Sequence, residues 1–229
     1  MPEQTPRTLS HFAFYQFNSS YYSLPPEDRL ATLCTFQAAI TAPAQKVGVY
    51  QVSPLQPEAD ILVWSAVEIK DPHRPEQFFT DVACQTNPLR RYIQSVQTLW
   101  GFTRPSEYTK TRSTQEIDPF ANERKPYLVM YPFVKTTEWY LMSREARQGM
   151  MNEHIRIGKQ YPEISQLLLY SFGLQDQEFI VVYETDDLTH FSDLVYDLRS
   201  SEVRRYTLRD APLYTAIYHP AEVTLGLWA

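Results

Sequence analysis

Apolar residues along this chain fall into short runs whose spacing alternates between a period of two and a helical period. The run 11–18 (HFAFYQFN) is rich in aromatic residues and predicts a strand. Pro25 and Pro26 stand where a helix can open, and Leu30, Leu33, Phe36, Ala39 and Ile40 mark one apolar helical face that Pro43 ends. Strands are predicted over 47–53 and 60–67. A second helix opens at Pro75 with Phe78, Phe79 and Val82, and another strand covers 96–102. This is β-α-β-β-α-β, the ferredoxin-like order.

The order then recurs. A strand over 127–134 precedes a helix that runs from a Ser143 cap to Lys159. Strands over 167–172 and 179–184 are joined by a turn at 173–176. Asp187 caps the next helix, with Leu188, Phe191, Leu194, Val195 and Leu198 on one face, and a last strand lies within 206–218. The polar joint, 103–125, has no strong period. The halves share element order but no clear identity. The expected fold class is α+β: two ferredoxin-like (βαββαβ) halves, 1–118 and 119–229, forming a dimeric α+β barrel in one chain.

Composition narrows the function classes. A hydrophobic content of 43% over 229 residues supports a real core and argues against disorder. A net charge of −6 argues against nucleic acid as partner, since that needs a basic surface. Cys34 and Cys84 are the only cysteines, so neither a disulfide framework nor a structural zinc site is expected. No run approaches the length that spans a bilayer, and the N-terminus shows no signal segment, so a protein of the reducing cytoplasm is expected. The 16 tyrosines and 4 tryptophans serve packing or electron relay, and composition does not separate the two.

Candidate chemistry concentrates in 131–178. His154 lies inside a predicted helix, with Met150 and Met151 one turn before it and Ile157 and Gly158 one turn after. It reads either as a satisfied core histidine or as an axial metal ligand beside the space that Gly158 leaves. Tyr131 and Lys135 share strand parity, so the lysine either reaches solvent or places a cation on the side of a buried phenol. Trp139 and Tyr140 precede the helix cap and read as packing. Gln166 opens the strand QLLLYSF, either as a solvent amide or as a hydrogen-bonding group in a pocket. Glu202, before Arg204 and Arg205, is either half of a surface ion pair or a carboxylate that holds the distal nitrogen of a ligating histidine. His11, His73, His190 and His219 have structural readings.

The segments YPFVKTTEWY, MMNEH, YSFGLQDQEF, YETDD and SSEVRRYTLRD, in this order, resemble the chlorite dismutase-like haem proteins. The resemblance covers most of the chain and is strongest over 127–214. It implies a haem bound by the C-terminal half, as haem b or iron-coproporphyrin III, and a homopentamer. It implies that His154 is the proximal ligand, with Met150, Ile157 and Trp139 about the cofactor and Glu202 as the histidine's hydrogen-bond partner. It makes Lys135 a residue near the propionates and Tyr131 the tyrosine that becomes a radical in coproheme decarboxylases. True chlorite dismutases place an arginine where this chain has Gln166, and a neutral amide lacks the cation that holds an oxychlorine anion. One group of decarboxylases has glutamine there. Yet the TTEWY segment lacks the insertion those enzymes carry and is closer to the dismutase pattern. The expected function is peroxide-dependent decarboxylation of coproheme to haem b. The alternatives are chlorite dismutation and non-catalytic haem binding or sensing. Arg104, Lys110 and Arg112 are further candidates for the propionates.

Overall fold

A computed structural model describes residues 7–108 and 113–229. The chain forms two compact units: 1–103 with 119–122 and 215–229, and 104–118 with 123–214.

In the first unit, β1 (Arg7–Phe17) is followed by a short helix α1 (Ser19–Tyr22), then α2 (Pro26–Thr41), β2 (Lys46–Gln51), β3 (Ile61–Ile69), α3 (Arg74–Thr86) and β4 (Ile93–Phe102). The strands lie in the order β4-β1-β3-β2, all antiparallel, which is the ferredoxin-like topology. Pro26 takes the first helical position of α2, where its missing N–H costs nothing. Leu33, Phe36, Ala39 and Ile40 pack against Ala13, Tyr15, Val49 and Val63 of the sheet. Leu30, expected on that face, is 55% exposed, because the apolar stripe begins one turn later. β1 starts four residues before the predicted strand, since Leu9 and the small polar residues Thr8 and Ser10 are also buried.

His11 is buried between Phe78 and Phe79 of α3, with ring centroids 5.6 and 5.5 Å away. Burial holds its pKa down at about 4, because a charged imidazole is poorly solvated there. The unfolded chain takes up this proton near pH 6.5 and the folded chain only near 4. The group therefore stabilises the fold above pH 6.5 and loses that contribution as pH falls towards 4, by up to ~3 kcal/mol. His11→Phe is expected to flatten this part of the acid-denaturation profile. Equal stability loss in both proteins between pH 6.5 and 4, measured by urea titration, would remove His11 as a source.

The second unit repeats the topology with β5 (Tyr127–Lys135), α4 (Thr137–Leu141), α5 (Arg144–Gly158), β6 (Ser165–Tyr170), β7 (Phe179–Thr185), α6 (Leu188–Arg199) and β8 (Thr207–Arg209). The antiparallel order is β6-β7-β5-β8. Ser143 caps α5 by accepting from Ala146 N (3.2 Å), and Asp187 caps α6 by accepting from Thr189 N (2.7 Å). The turn after β6 uses Gly173 at φ 70°, which suits a residue without Cβ.

The predicted last strand divides in two. β8 pairs with β5, whereas β9 (Tyr214–Tyr218) pairs through Ile217 and Tyr218 with β2 of the first unit. Pro212, which has no N–H for a ladder, lies between them. The final helix α7 (Ala221–Gly226) follows and buries Thr224 and Leu225 in the first unit. The joint is divided as well: 104–118 goes with the second unit, where Ile117 N donates to Gln166 O (3.0 Å) and Gln166 N to Gln115 O (2.7 Å). Among the described residues no helix is long and apolar enough to cross a membrane. Both cysteines are free and exposed.

Candidate active site

Register decides which side chains of the second sheet share a face. Paired residues of antiparallel strands point the same way. Gln166, Tyr183 and Val129 therefore form one row, Leu168, Val181 and Tyr131 the next, and Tyr170, Phe179 and Phe133 the third. Lys135 follows on the same side of β5. Towards α6 this face is packed, with Val129, Val181, Tyr183, Phe191 and Leu194 buried together and Tyr131 against them. Towards β6 it is open: the Gln166 side chain is exposed and Leu168 is 38% exposed. Gln166 is thus an amide on the same face as Tyr131, with its backbone held on both sides.

Lys135 does not extend into solvent. Its Nζ lies 4.8 Å from the Trp139 ring centroid and donates to Thr207 Oγ1 at 3.2 Å. Burial, then the nearby Arg204, lowers its pKa to about 8 against the opposing pull of Asp210 and Glu178. Trp139 is buried, with Tyr206 and Tyr108 at 5.9 and 6.5 Å. Glu178 fastens the corner: it accepts from Lys135 N at 2.8 Å and from the Tyr140 hydroxyl, whose pKa is pushed up by burial and by this carboxylate.

His154 lies on the partly buried side of α5 with Met150, Met151 and the buried Ile157. Its Nδ1 is shielded from solvent and has no hydrogen-bond partner among the described residues. Burial, reinforced by the charge of Lys135, lowers its pKa to about 4, so the ring is neutral at pH 7. A neutral imidazole with an unsatisfied nitrogen is the form a metal takes up. A Cβ added to Gly158, the next turn along, meets nothing within 4 Å. These observations fit a flat metal-bearing cofactor.

The structure does not bring Glu202 to His154. Its carboxylate is 57% exposed and pairs with Arg205 Nε at 3.2 Å, while its backbone N–H donates to Glu153 Oε2 at 3.3 Å. The cause is local: the 3₁₀ turn Glu202–Tyr206 places Arg205 one turn away, on the same outward side. From the same segment it is Arg204 that faces the site. Arg204 and Arg199 both hold Asp210, at 2.6 and 3.0 Å, and all three charges act on the Tyr131 phenol. Arg204 was visible in sequence only as a neighbour of Glu202, and Asp210 is six residues further on. Tyr183 was hidden in an apolar strand. Of the propionate candidates, Arg104 pairs with Glu107 at 3.3 Å and stands 5.5 Å from the Tyr170 ring centroid. Lys110 and Arg112 lie outside the described residues.

Topology and site together define an α+β protein of two ferredoxin-like units whose second sheet carries a phenol, a lysine and an amide on one face, with an unsatisfied imidazole on the adjoining helix. The chlorite dismutase family model matches residues 29–219, and the chain belongs to this family. It is 30% identical over 170 residues to the coproheme decarboxylase of Mycolicibacterium smegmatis, covering 73% of this chain and 71% of that one. A Halobacterium salinarum protein named for a proposed heme-binding role is 28% identical over 224 residues, and that match spans 83% of this chain and 44% of the longer relative. A mutant chlorite dismutase from Candidatus Nitrospira defluvii superposes with a TM-score of 0.82 at 24% identity, covering 97% of this chain and 95% of that one. The complex of that dismutase with imidazole gives 0.81 at 22%, covering 96% and 94%. These structural likenesses establish the fold.

Proposed function

We propose that this chain is a haem-dependent oxidoreductase that converts iron-coproporphyrin III to haem b by peroxide-driven decarboxylation of two propionates. The observation that carries the reading is the charge around Tyr131: two guanidiniums, Arg199 and Arg204, against the single carboxylate of Asp210, next to a buried phenol. A propionate drawn to the excess positive charge is brought to the Tyr131 phenol, which can lose a hydrogen atom and is less enclosed than its neighbour Tyr183. The relative named a coproheme decarboxylase supports the same choice. So does Gln166 on the open side of the face, a neutral amide that carries no charge to hold an oxychlorine anion.

In this reading His154 holds the iron, and Trp139, Met150 and Ile157 shape the surroundings. The cofactor, also the substrate, supplies the metal that turns peroxide into oxidising equivalents and the propionates that are consumed. The Tyr131 phenol gives up one electron and one proton and is re-formed by the hydrogen atom it takes from the propionate β-carbon. The β-carbon radical then gives up its remaining electron to the second oxidising equivalent of the peroxide as the carbon–carbon bond to the carboxylate breaks, releasing CO2 and leaving a vinyl group. Per propionate the balance is one carboxylate, one H2O2 and one proton giving one vinyl, one CO2 and two waters. Lys135, with its pKa of about 8, is protonated at pH 7 but less firmly than in water, which suits it to supplying that proton. Gln166 offers a hydrogen bond on its open side. Glu202, turned towards Arg205, tunes nothing through His154 in this arrangement, and the backbone of its turn is what it contributes.

The test is to load the full chain with iron-coproporphyrin III, titrate in hydrogen peroxide and follow the porphyrin mass. Stepwise loss of two carboxyl groups ending at haem b is expected. Bleached or unchanged coproporphyrin would overturn the reading. Oxygen release from chlorite by the haem b form would then assign chlorite dismutation, and neither activity would leave haem binding alone.

A further inference from the structure

The Tyr183 hydroxyl poses a question that packing does not answer. Tyr183 is 5% exposed and lies among Val129, Val181, Phe191 and Leu194. A phenylalanine would fill this space without carrying a polar atom into it, and an unpaired buried hydroxyl costs about 1–3 kcal/mol. The hydroxyl is paired, and its partner is the phenol of Tyr131. Register makes this possible. Tyr131 stands opposite Val181, one row along from Tyr183, and the diagonal brings the two rings to a centroid separation of 6.2 Å with a 30° tilt.

We propose that Tyr183 is a positioning residue for Tyr131: its hydroxyl donates to the Tyr131 oxygen and sets how readily that phenol gives up its proton and electron. The direction of the bond follows from burial. Tyr183 is the more deeply enclosed of the two, and loss of its proton is disfavoured by desolvation and by the neighbouring Tyr131. The pair therefore keeps its shared proton on Tyr183, and Tyr131 receives. Burial alone would make Tyr131 hard to ionise, and the Tyr183 bond opposes that. A donor aimed at the oxygen stabilises the phenolate more than the neutral phenol, because the anion carries the charge, and it remains as a hydrogen bond to the phenoxyl oxygen once that oxygen has lost its own proton. The same bond holds the Tyr131 ring in place while its hydrogen leaves towards the water formed from peroxide and returns from the propionate. The catalytic part of this inference rests on the proposed decarboxylation. The hydrogen bond does not.

The experiment separates the two. 3,5-Difluorotyrosine, a more acidic phenol, is placed at position 131 in the full chain and titrated by ¹⁹F NMR with and without Tyr183→Phe. The substitution removes one oxygen and keeps the ring packed on Phe191, 5.1 Å away. The midpoint for position 131 is expected to rise by about one unit, about tenfold in the ionisation constant, with unfolding unchanged or slightly later. An unmoved midpoint would overturn the proposal. With native Tyr131, Tyr183→Phe is expected to lower kcat for coproheme decarboxylation about tenfold at unchanged KM. A moved midpoint with unaltered kcat would overturn the catalytic part. If the wild type does not decarboxylate coproheme, the decarboxylation reading falls, and the NMR midpoint still decides whether Tyr183 governs Tyr131.

Discussion

Tyr131→Phe is expected to bind iron-coproporphyrin III within about twofold of wild type and to form haem b at least about a thousandfold more slowly, a loss of about 4 kcal/mol of barrier lowering. The variant removes a single oxygen from a side chain that packs on β5 against Tyr183 and helix α6. Its effect on the fold is therefore small, limited to the exchange of a buried phenol pair for a lone Tyr183 hydroxyl. What it removes is the O–H bond that the proposed reaction breaks and re-forms in each cycle, for which a phenyl ring has no substitute. The charges proposed to attract the propionate, Arg199, Arg204 and Lys135, stay in place, so binding and turnover are expected to separate. Stopped-flow binding and product mass measure the two quantities independently. A Phe variant that still yields haem b would end the radical role of Tyr131.

His154→Ala is expected to weaken haem affinity by about a hundredfold or more, about 2.8 kcal/mol, and to lose the spectrum of a histidine-ligated iron. The neutral state of the ring is already secured by burial and by the Lys135 charge, so ligation needs no deprotonation step at pH 7. The same lowered pKa, about 4, predicts wild-type binding that is independent of pH from 7 down to roughly 5 and declines below, as the proton begins to compete. The truncated side chain leaves space on the partly buried side of α5, and added imidazole should restore the spectrum by filling it. Unchanged affinity in the variant, with no response to imidazole, would show that the iron is held elsewhere and would remove the assignment for haem b and coproheme alike.

The elements around this site were readable because each rests on a local rule. Ser143 and Asp187 cap helices that the period of Leu188, Phe191 and Leu194 or of Met151 and His154 already marks. The pairing of Tyr131 with Lys135 on one face follows from strand parity alone. Resemblance then assigned roles that no spacing could supply, and it led to Glu202, whose carboxylate the folded chain turns towards Arg205.

What the sequence by itself determined is the order β-α-β-β-α-β twice over, the apolar faces of the helices, and the family, because periodicity, caps and motifs are properties of neighbours in the chain. Tertiary structure alone decided the rest. It split the last strand, sending 215–218 to the first unit while β8 stayed beside β5. It put Tyr183 of β7 against Tyr131 of β5, and it gathered Arg199, Arg204 and Asp210 around the phenol. It also drew the Lys135 ammonium out of solvent onto Trp139, where burial lowers its pKa, and it buried His154, whose pKa falls first through that burial and then through the charge of Lys135. Register, desolvation and long-range charge depend on distances through space, and a one-dimensional pattern does not contain them.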